Sequence, residues 1–316
     1  MKYKILDILR ENDSYISGEQ LASLLGITRA AVWKHILRLK EEGYTIVSGN
    51  NRGYLLIDKN DVVNIKELKY KNICYKKEVD STNDEAKRLA LNGANEGLVV
   101  VANNQTKGKG RLGKSWISIA DKNIYMSIIL RPNITPIEAP CLTLVVGLAV
   151  LNVINNMTEL SASIKWPNDI IINNKKVCGI LTEISAEIYN IKFAVVGIGV
   201  NVNSAEFDAE IKHKSTSLLL ETGKSVSRAN MIDNIISEVT KYYNSFVEKG
   251  FINFIDEYNN NCINIGRYVR TVGRVDIEGK AVGVNDRGEL LIETDNEVVP
   301  VFSGEVSLRM SNGEYI

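Results

Sequence analysis

The sequence predicts an α+β multidomain chain in three successive segments: a helical module closed by a β-hairpin, a long mixture of strands and helices, and a short all-β tail. Three observations predict it. Apolar residues recur at helical spacing between Ile5 and Leu39, then give way to two short strand-like runs around a turn rich in glycine and asparagine. Strand-like and helix-like runs then mix without strict βαβ alternation, which points to a mixed or antiparallel sheet flanked by helices. Beyond residue 263, short β-prone runs are punctuated by turn signals. A length of 316 residues suits more than one domain, and the boundaries are set at 1–62, 63–262 and 263–316.

In the first segment, Ile5, Leu6, Ile8 and Leu9 give an opening helix its apolar face. Ser17 and Gln20 fit a capping box ahead of Leu21, Leu24 and Leu25. Gly26 stops this helix and Thr28 caps the next. Val32, Ile36 and Leu39 then repeat at helical spacing. The opposite face carries Arg29, Lys34, His35, Arg38 and Lys40, with no acid from Arg29 to Lys40. A helix that is apolar inside and cationic outside is suited to phosphates. Residues 44–47 and 54–57 read as strands around Gly49-Asn50-Asn51-Arg52-Gly53. Together these form a winged helix-turn-helix; the alternative is a helical packing module whose basic face is merely solvated. Residues 58–66 are polar and read as a linker.

In the central segment, strands are expected over 97–102, 124–130, 162–166, 169–172, 176–183 and 192–198, and helices over 82–92, 136–156, 228–249 and 251–260. Asn173-Asn174, between two apolar runs, signals a hairpin. In the tail, Gly279, Asp286-Arg287-Gly288 and Asp295-Asn296 are turn signals separating strands at 281–284, 289–294 and 298–302.

Composition narrows the function classes. Hydrophobic residues make up 45% and charged residues 24%, enough apolar material for sizeable cores. The formal net charge is zero, so any nucleic-acid contact must come from a local patch. The N-terminus lacks the apolar core of a signal peptide, and no apolar run is expected to reach membrane-spanning length, so a cytoplasmic protein without a membrane partner is expected. Cys74, Cys141, Cys178 and Cys262 form no CxxC pair, which argues against a zinc site or a disulfide framework. With only His35 and His213, a histidine triad or metal cluster is not expected.

The most informative stretch is Gln105-Thr106-Lys107-Gly108-Lys109-Gly110-Arg111-Leu112-Gly113-Lys114-Ser115-Trp116. Glycine lets backbone N–H groups approach a ligand closely, and four cations add positive charge at the same place. Such a loop suits a phosphate or a developing anion. Gly108 to Ser115 also fits the P-loop pattern of nucleoside triphosphatases. A true P-loop opens directly into a helix, whereas residues 116–120 do not read as a helix start and 124–130 read as a strand. A solvated basic loop is the bland alternative.

Further motifs remove the bland alternative: Ser81-Thr82-Asn83, Lys165-Trp166-Pro167-Asn168-Asp169, residues 175–183 with Lys176 at their head, and Gly197-Ile198-Gly199-Val200-Asn201-Val202-Asn203. With the glycine loop, these resemble the biotin–protein ligase family, in the family's order and over essentially the whole chain. The N-terminal segment, in particular residues 17–37, resembles the bifunctional members that also repress biotin operons. The resemblance implies a central class II synthetase-like mixed α/β catalytic domain, shared with lipoate ligases, and a C-terminal SH3-like β-barrel.

It also implies a reaction and its residues. Biotin carboxylate attacks the α-phosphate of ATP, giving biotinyl-5′-AMP and pyrophosphate, and a lysine of the biotin carboxyl carrier protein then attacks the mixed anhydride. No covalent protein nucleophile is needed; the protein aligns an anion with a phosphate and neutralises developing charge. By resemblance, Ser81, Thr82, Asn83 and Gln105 bind the biotin head group, although the first three also suit a helix N-cap. Lys109, Gly110 and Arg111 belong to the segment that closes over biotin and adenylate. Lys109 replaces the family's usual arginine, which keeps charge but loses bidentate geometry. Lys176 meets biotin and the reacting phosphate, and Lys176 and Arg111 are the expected catalytic pair. Trp116 stacks on adenine; Lys165, Asn168, Asp169, Asn201, Glu305 and Arg309 complete the ATP and adenylate site. Mg²⁺ accompanies ATP, held mostly by phosphate oxygens and water, with no metal site of the protein's own. Operator DNA is the expected partner of Ser17, Gln20, Thr28, Arg29, Lys34, His35, Arg38 and Arg52, bound by a ligand-promoted homodimer. The rivals are a lipoate ligase, whose Arg-Arg-x-x-Gly-Gly-Gly type motif is absent, a sensing repressor with a decayed ligase site, and a monofunctional ligase.

Overall fold

The computed structural model describes all residues except 42–43, 50–51, 58–62, 64–67, 189, 274–275, 304–305 and 311–316, and describes only the backbone of 306, 307 and 310. The chain divides into two compact units, residues 1–67 with 227–229, and residues 68–226 with 230–316. The tail expected as a third segment thus packs within the second unit.

The first unit contains α1 (Lys2–Glu11), α2 (Gly18–Leu25), α3 (Arg29–Glu41), β1 (Ile46–Gly49) and β2 (Gly53–Leu56). Ile5, Leu6, Leu9, Leu21, Val32, Ile36, Leu39, Tyr44, Ile46 and Leu56 form its core. The capping box closes both ways: the Gln20 N–H donates to Ser17 Oγ at 3.1 Å, and the Ser17 N–H donates to Gln20 Oε1 at 3.0 Å. Gly26 terminates α2 in the left-handed region (φ 63°), and Thr28 Oγ1 accepts from the Ala31 N–H at 3.2 Å. The strands pair antiparallel, and Ile16 joins them through an isolated bridge to Tyr54. That bridge needs Gly53: at φ +100° a Cβ would lie 2.0 Å from the Ile16 carbonyl oxygen. Asn50 and Asn51 of the expected turn, and all of the expected linker except Val63, lie outside the described residues.

His35 is not on the open face with the other cations. It sits three residues after Val32 and four before Leu39, beside the apolar stripe. It is half-buried, and its Nδ1 has no hydrogen-bond partner among the described residues. Burial, helped by the chain's amino terminus, Arg38 and Lys2, lowers its pKa and favours the neutral ring.

The second unit is built on a seven-stranded sheet. Its elements are β3 (Ile73–Val79), α4 (Thr82–Leu91), β4 (Val99–Gln105), β5 (Ile124–Leu130), α5 (Ala139–Thr158), β6 (Ser163–Lys165), β7 (Asp169–Ile172), β8 (Lys175–Ala186) and β9 (Ile191–Val200). Helices α6 (Leu218–Thr222), α7 (Arg228–Lys249) and α8 (Ile255–Asn261) follow. Strand order is β3-β4-β5-β9-β8-β7-β6, with β3–β4 parallel and every other pair antiparallel. The Asn173-Asn174 turn joins β7 to β8 with positive φ at both residues (49° and 62°). Residues 251–254, expected to open a continuous helix, form a separate 3₁₀ turn before α8.

One expectation about apolar runs is corrected. α5 is 20 residues long with a mean hydropathy of 1.7 over its most apolar window, enough by length and composition to cross a membrane. Its apolar side chains are buried in the core, and the helix packs on β6, β7 and β8 and on α8, as a central core helix does.

The tail forms an antiparallel sheet of β10 (Tyr268–Gly273), β11 (Glu278–Val284), β12 (Leu290–Glu293), β13 (Val298–Val301) and β14 (Val306–Met310). Its order is β13-β12-β11-β10-β14, which leaves β13 and β14 as its two ends among the described residues. Gly279, expected as a turn residue, lies within β11 instead. A Cβ there would lie 2.3 Å from the Glu293 carbonyl oxygen, so this glycine serves close strand approach.

Candidate active site

The glycine loop connects two adjacent antiparallel strands, β4 and β5, and no α-helix follows it, so the P-loop reading fails on context. The loop folds on itself: the Gly110 N–H donates to the Lys114 carbonyl at 2.7 Å, and the Trp116 N–H donates to the Gly108 carbonyl at 2.9 Å. Arg111 lies at its tip, where Leu112 and Gly113 both have positive φ (54° and 72°).

On one side of the loop is a cavity lined by Ser81, Thr82, Asn83, Gln105, Lys109, Gly110, Arg111, Trp116, Asn168 and Lys176, among others. Away from its three cations, Ser81, Thr82, Asn83 and Gln105 give it a wall of neutral hydrogen-bonding groups. Gln105 Oε1 accepts from the Thr82 N–H at 2.8 Å and from Thr82 Oγ1 at 3.1 Å. The buried Ser127 hydroxyl donates to Asn83 Oδ1 at 2.6 Å and lies 2.8 Å from Thr82 Oγ1. Asn83 Nδ2 donates to Glu183 Oε2 at 2.8 Å and to the Leu181 carbonyl at 3.2 Å. Ser81 occupies the N-cap position of α4, yet its side chain makes no capping bond. Its buried hydroxyl lines the cavity, so the helix-cap role does not consume it.

The cavity floor is made of glycine. Gly179 on β8 pairs with Gly199 on β9, and Leu181 pairs with Gly197. The Trp116 ring packs closely against the first pair: a Cβ on Gly199 would lie 2.7 Å from the indole, and one on Gly179 would lie 2.8 Å from it. At Gly197 a Cβ would lie 2.1 Å from Asn83 Oδ1. The Trp116 Nε1–H is buried and has no hydrogen-bond partner among the described residues.

On the other side is a wider cavity, about 1550 Å³ including its open mouth. Lys114, Lys165, Lys176, Lys214, Arg111 and Arg309 outnumber the two carboxylates, Asp169 and Asp208, in its lining. Lys176 Nζ pairs with Asp169 Oδ1 at 2.5 Å and sits 5.3 Å from the Trp116 ring centroid, so it is no solvated strand-end lysine. Burial is the largest influence on Lys165, which is only 4% exposed, and with Arg309, Lys176 and Lys114 nearby it pushes the ammonium down to about 7 against the opposing pull of Asp169. Burial likewise lowers the pKa of Lys114. A pocket that gathers this much positive charge is shaped for a polyanion. Phe207, Asp208 and Ile211 add a wall that sequence reasoning did not assign.

The remaining expected residues are placed as follows. Arg111 Nη1 donates to Asn168 Oδ1 at 3.1 Å, and Arg111 Nη2 donates to the Ser303 carbonyl. Asn168 Nδ2 donates to the Ile180 carbonyl at 3.0 Å, which ties the Lys-Trp-Pro-Asn-Asp turn to β8. Lys109 turns to Asp84 on α4 at 2.6 Å, and this hydrogen bond raises its pKa. Asn201 lines the wide cavity, but its amide is engaged, donating to the Thr216 carbonyl at 3.1 Å. Glu305 lies outside the described residues. In the first unit Arg29, Lys34, Arg38 and Arg52 are exposed, while Ser17, Gln20 and Thr28 are engaged in caps. Sequence reasoning missed Ser127, because a lone serine inside an apolar strand carries no local signal, and Lys214, which lies outside every motif; Lys114 reads only as one of the four loop cations.

The two cavities share Gly110, Arg111, Trp116, Asn168 and Lys176. A compartment walled by Ser81, Thr82, Asn83 and Gln105 thus opens through cationic residues into a wider, strongly cationic one, in a chain that also carries a helix-turn-helix. That combination defines a ligand-activating enzyme joined to a nucleic-acid-binding module. Comparison with known proteins gives the family. Residues 75–203 match the biotin/lipoate A/B protein ligase family, residues 2–55 an HTH domain, and residues 265–309 the biotin protein ligase C terminal domain. The bifunctional ligase/repressor BirA of Bacillus spizizenii is 37% identical over 306 residues, covering 93% of this chain and 94% of that one. The Escherichia coli bifunctional ligase/repressor BirA is 28% identical, covering 95% of each chain. The biotin protein ligase from Aquifex aeolicus in complex with biotin and ATP superposes with a TM-score of 0.69 at 36% identity, over 77% of this chain and all of that one. The chain belongs to the biotin protein ligase family, with the domain composition of its bifunctional ligase/repressors.

Proposed function

We propose that this protein is an ATP-dependent biotin–[biotin carboxyl carrier protein] ligase that forms biotinyl-5′-AMP, transfers biotin to a carrier lysine, and represses biotin genes when loaded with the adenylate. The observation that carries the reading is the junction of the two cavities at Gly110, Arg111, Trp116, Asn168 and Lys176. Ser81, Thr82, Asn83 and Gln105 hold the biotin head group, with Ser127 orienting Thr82 and Asn83. The biotin carboxylate then meets the α-phosphate at Lys176 and Arg111, where charge develops in the transition state. Trp116 offers its free indole N–H and ring to the ligand, while Lys114, Lys165, Lys214 and Arg309 neutralise the phosphates. Among the described residues there is no group of three or more His, Cys, Asp or Glu to hold a metal. A carboxylate beside a phosphate site still suits Mg²⁺ arriving with ATP, bound mostly by phosphate oxygens and water, with Asp169 as the candidate protein ligand. We assign residues 1–62, 63–262 and 263–316 to the DNA-binding, catalytic and SH3-like domains, the catalytic one of class II synthetase type, in a cytoplasmic protein.

Mass spectrometry of the protein incubated with biotin, ATP and Mg²⁺ tests this directly. Retained biotinyl-AMP and released pyrophosphate are expected; binding of biotin without pyrophosphate release would replace the ligase by a sensing repressor.

Two further outcomes follow from the site. ATP should draw a proton onto Lys165. Its free-state pKa is pushed down to about 7 by burial, and phosphate favours the charged form. Above about pH 7 the complex therefore holds more protons than the free protein, and nucleotide affinity should fall as pH rises from there. Calorimetry in buffers of different ionisation enthalpy should register uptake of up to about one proton at pH 8, and Lys165→Met should remove it. Arg111→Gly removes the bonds that tie the loop tip to Asn168 and Ser303. The expected result is leakage of biotinyl-AMP and biotin spreading onto a non-carrier protein; unchanged labelling with synthesis intact would exclude a closing role for the loop.

The repressor half rests on Arg29, Lys34, Arg38 and Arg52, and on adenylate-promoted pairing of two chains across the central domain. By linkage, adenylate that favours the dimer must favour operator binding equally. Sedimentation and operator binding, each with and without adenylate at fixed salt, decide it. DNA affinity indifferent to adenylate would remove the switch and leave the ligase standing.

A further inference from the structure

The outer face of α3 is not uniformly polar. Trp33 is 53% exposed and Leu37 38% exposed, and at i and i+4 they are neighbours on the helix surface. Ala30, three residues before Trp33, is exposed beside them. Arg29, Lys34, Arg38 and Lys40 frame this apolar strip, all four exposed. The core of the unit is filled without it, by Val32, Ile36 and Leu39 on the opposite side of the helix. Leaving a tryptophan and a leucine in water is unfavourable, so the strip calls for a partner. The surrounding charge states what kind. With no acid from Arg29 to Lys40, the frame matches a polyanion, and an apolar protein surface would leave those cations facing nothing of opposite sign.

We infer that Trp33 and Leu37 are specificity residues that read thymine C5-methyl groups in the major groove of the operator, while the cations around them hold the phosphates. The inference rests on the repressor reading and deepens it. In the major groove the methyl is the one apolar feature of a base-pair edge, and it distinguishes thymine from every other base. An α-helix fits this groove, and the side chains on its outer face are the ones that reach base edges. Cations that hold phosphates supply affinity without sequence information, so the apolar strip adds discrimination that they do not. The operator half-site should then contain thymines at fixed positions that tolerate no loss of the methyl.

The test uses the full-length protein loaded with biotinyl-AMP and DNA selected by it from a randomised duplex library. Each thymine of the enriched half-site is replaced in turn by deoxyuridine, which removes only the methyl. At one or more positions the wild-type affinity should fall about fourfold, the change expected for one methyl-sized group withdrawn from apolar contact. Trp33→Ala or Leu37→Ala should abolish that particular sensitivity, whereas Lys34→Ala should weaken all duplexes alike and leave it intact. Biotinylation by all three variants should be unchanged, and a thermal melt confirms that each is folded. Uniform indifference of the wild type to deoxyuridine overturns the inference, as does sensitivity that persists in both Trp33→Ala and Leu37→Ala. If those variants instead alter sedimentation of the protein without DNA, the strip covers a protein surface and the inference is again overturned. Failure of the wild type to enrich any duplex is a different result: it removes the repressor reading itself.

Discussion

Lys176→Ala should lower the rate of biotinyl-AMP formation on the order of 100-fold or more (~3 kcal/mol of transition-state stabilisation), as removal of one preorganised donor does. Lys176 is held between Asp169 at 2.5 Å and the Trp116 ring, at the junction shared by both cavities. Under the proposed reaction, an ammonium fixed there would stabilise charge on the reacting carboxylate and phosphate without having to reorganise. Its removal also leaves Asp169 among the remaining cations, so nucleotide binding should weaken less than catalysis slows. Single-turnover formation of the adenylate, measured by rapid quench, separates these two effects. A folded Lys176→Ala protein that makes biotinyl-AMP at the wild-type rate would remove the lysine from the reaction.

Gly197→Ala should be comparably severe, at the other cavity. The added Cβ would lie 2.1 Å from Asn83 Oδ1, far inside contact distance. Asn83 has nowhere to yield without loss, because Ser127, Glu183 and the Leu181 carbonyl all hold its amide. Displacing it breaks two or three hydrogen bonds, each worth about 1 kcal/mol, so the biotin concentration for half-maximal rate should rise on the order of 100-fold. Overpacking should also lower stability by about 1–3 kcal/mol. The second substitution Asn83→Ala, which removes the obstructed side chain, should restore much of the stability and none of the biotin affinity. Steady-state titration with biotin and thermal melts read both effects. An unchanged half-saturation in Gly197→Ala would show that the head group lies elsewhere.

Much of the fold could be read from local pattern, and what escaped has physical causes. The runs at 124–130 and 169–172 coincide with β5 and β7, because strands buried on both faces are continuously apolar. β3 went unseen: Ile-Cys-Tyr-Lys-Lys-Glu-Val is an edge strand whose exposed half is charged. β10 and β14 were missed because their apolar residues are few and interrupted. The site motifs were legible because glycine, cations and small polar residues stand out against apolar strands. Their supports were not, since Ser127 and Glu183 act through partners 44 and 100 residues away. His35 shows the opposite error: composition placed it with the cations, but helix phase turned it toward the apolar stripe.

The far end of the chain bears on when this enzyme can work. The Trp166 indole N–H donates to the Gly288 carbonyl at 3.2 Å, and its backbone N–H donates to Asn264 Oδ1 at 2.9 Å. Arg111 reaches the Ser303 carbonyl, and Arg309 on β14 completes the wide cavity. A chain broken off before β14 would keep every residue that lines the narrower cavity and lose Leu308 and Arg309 from the lining of the wide one.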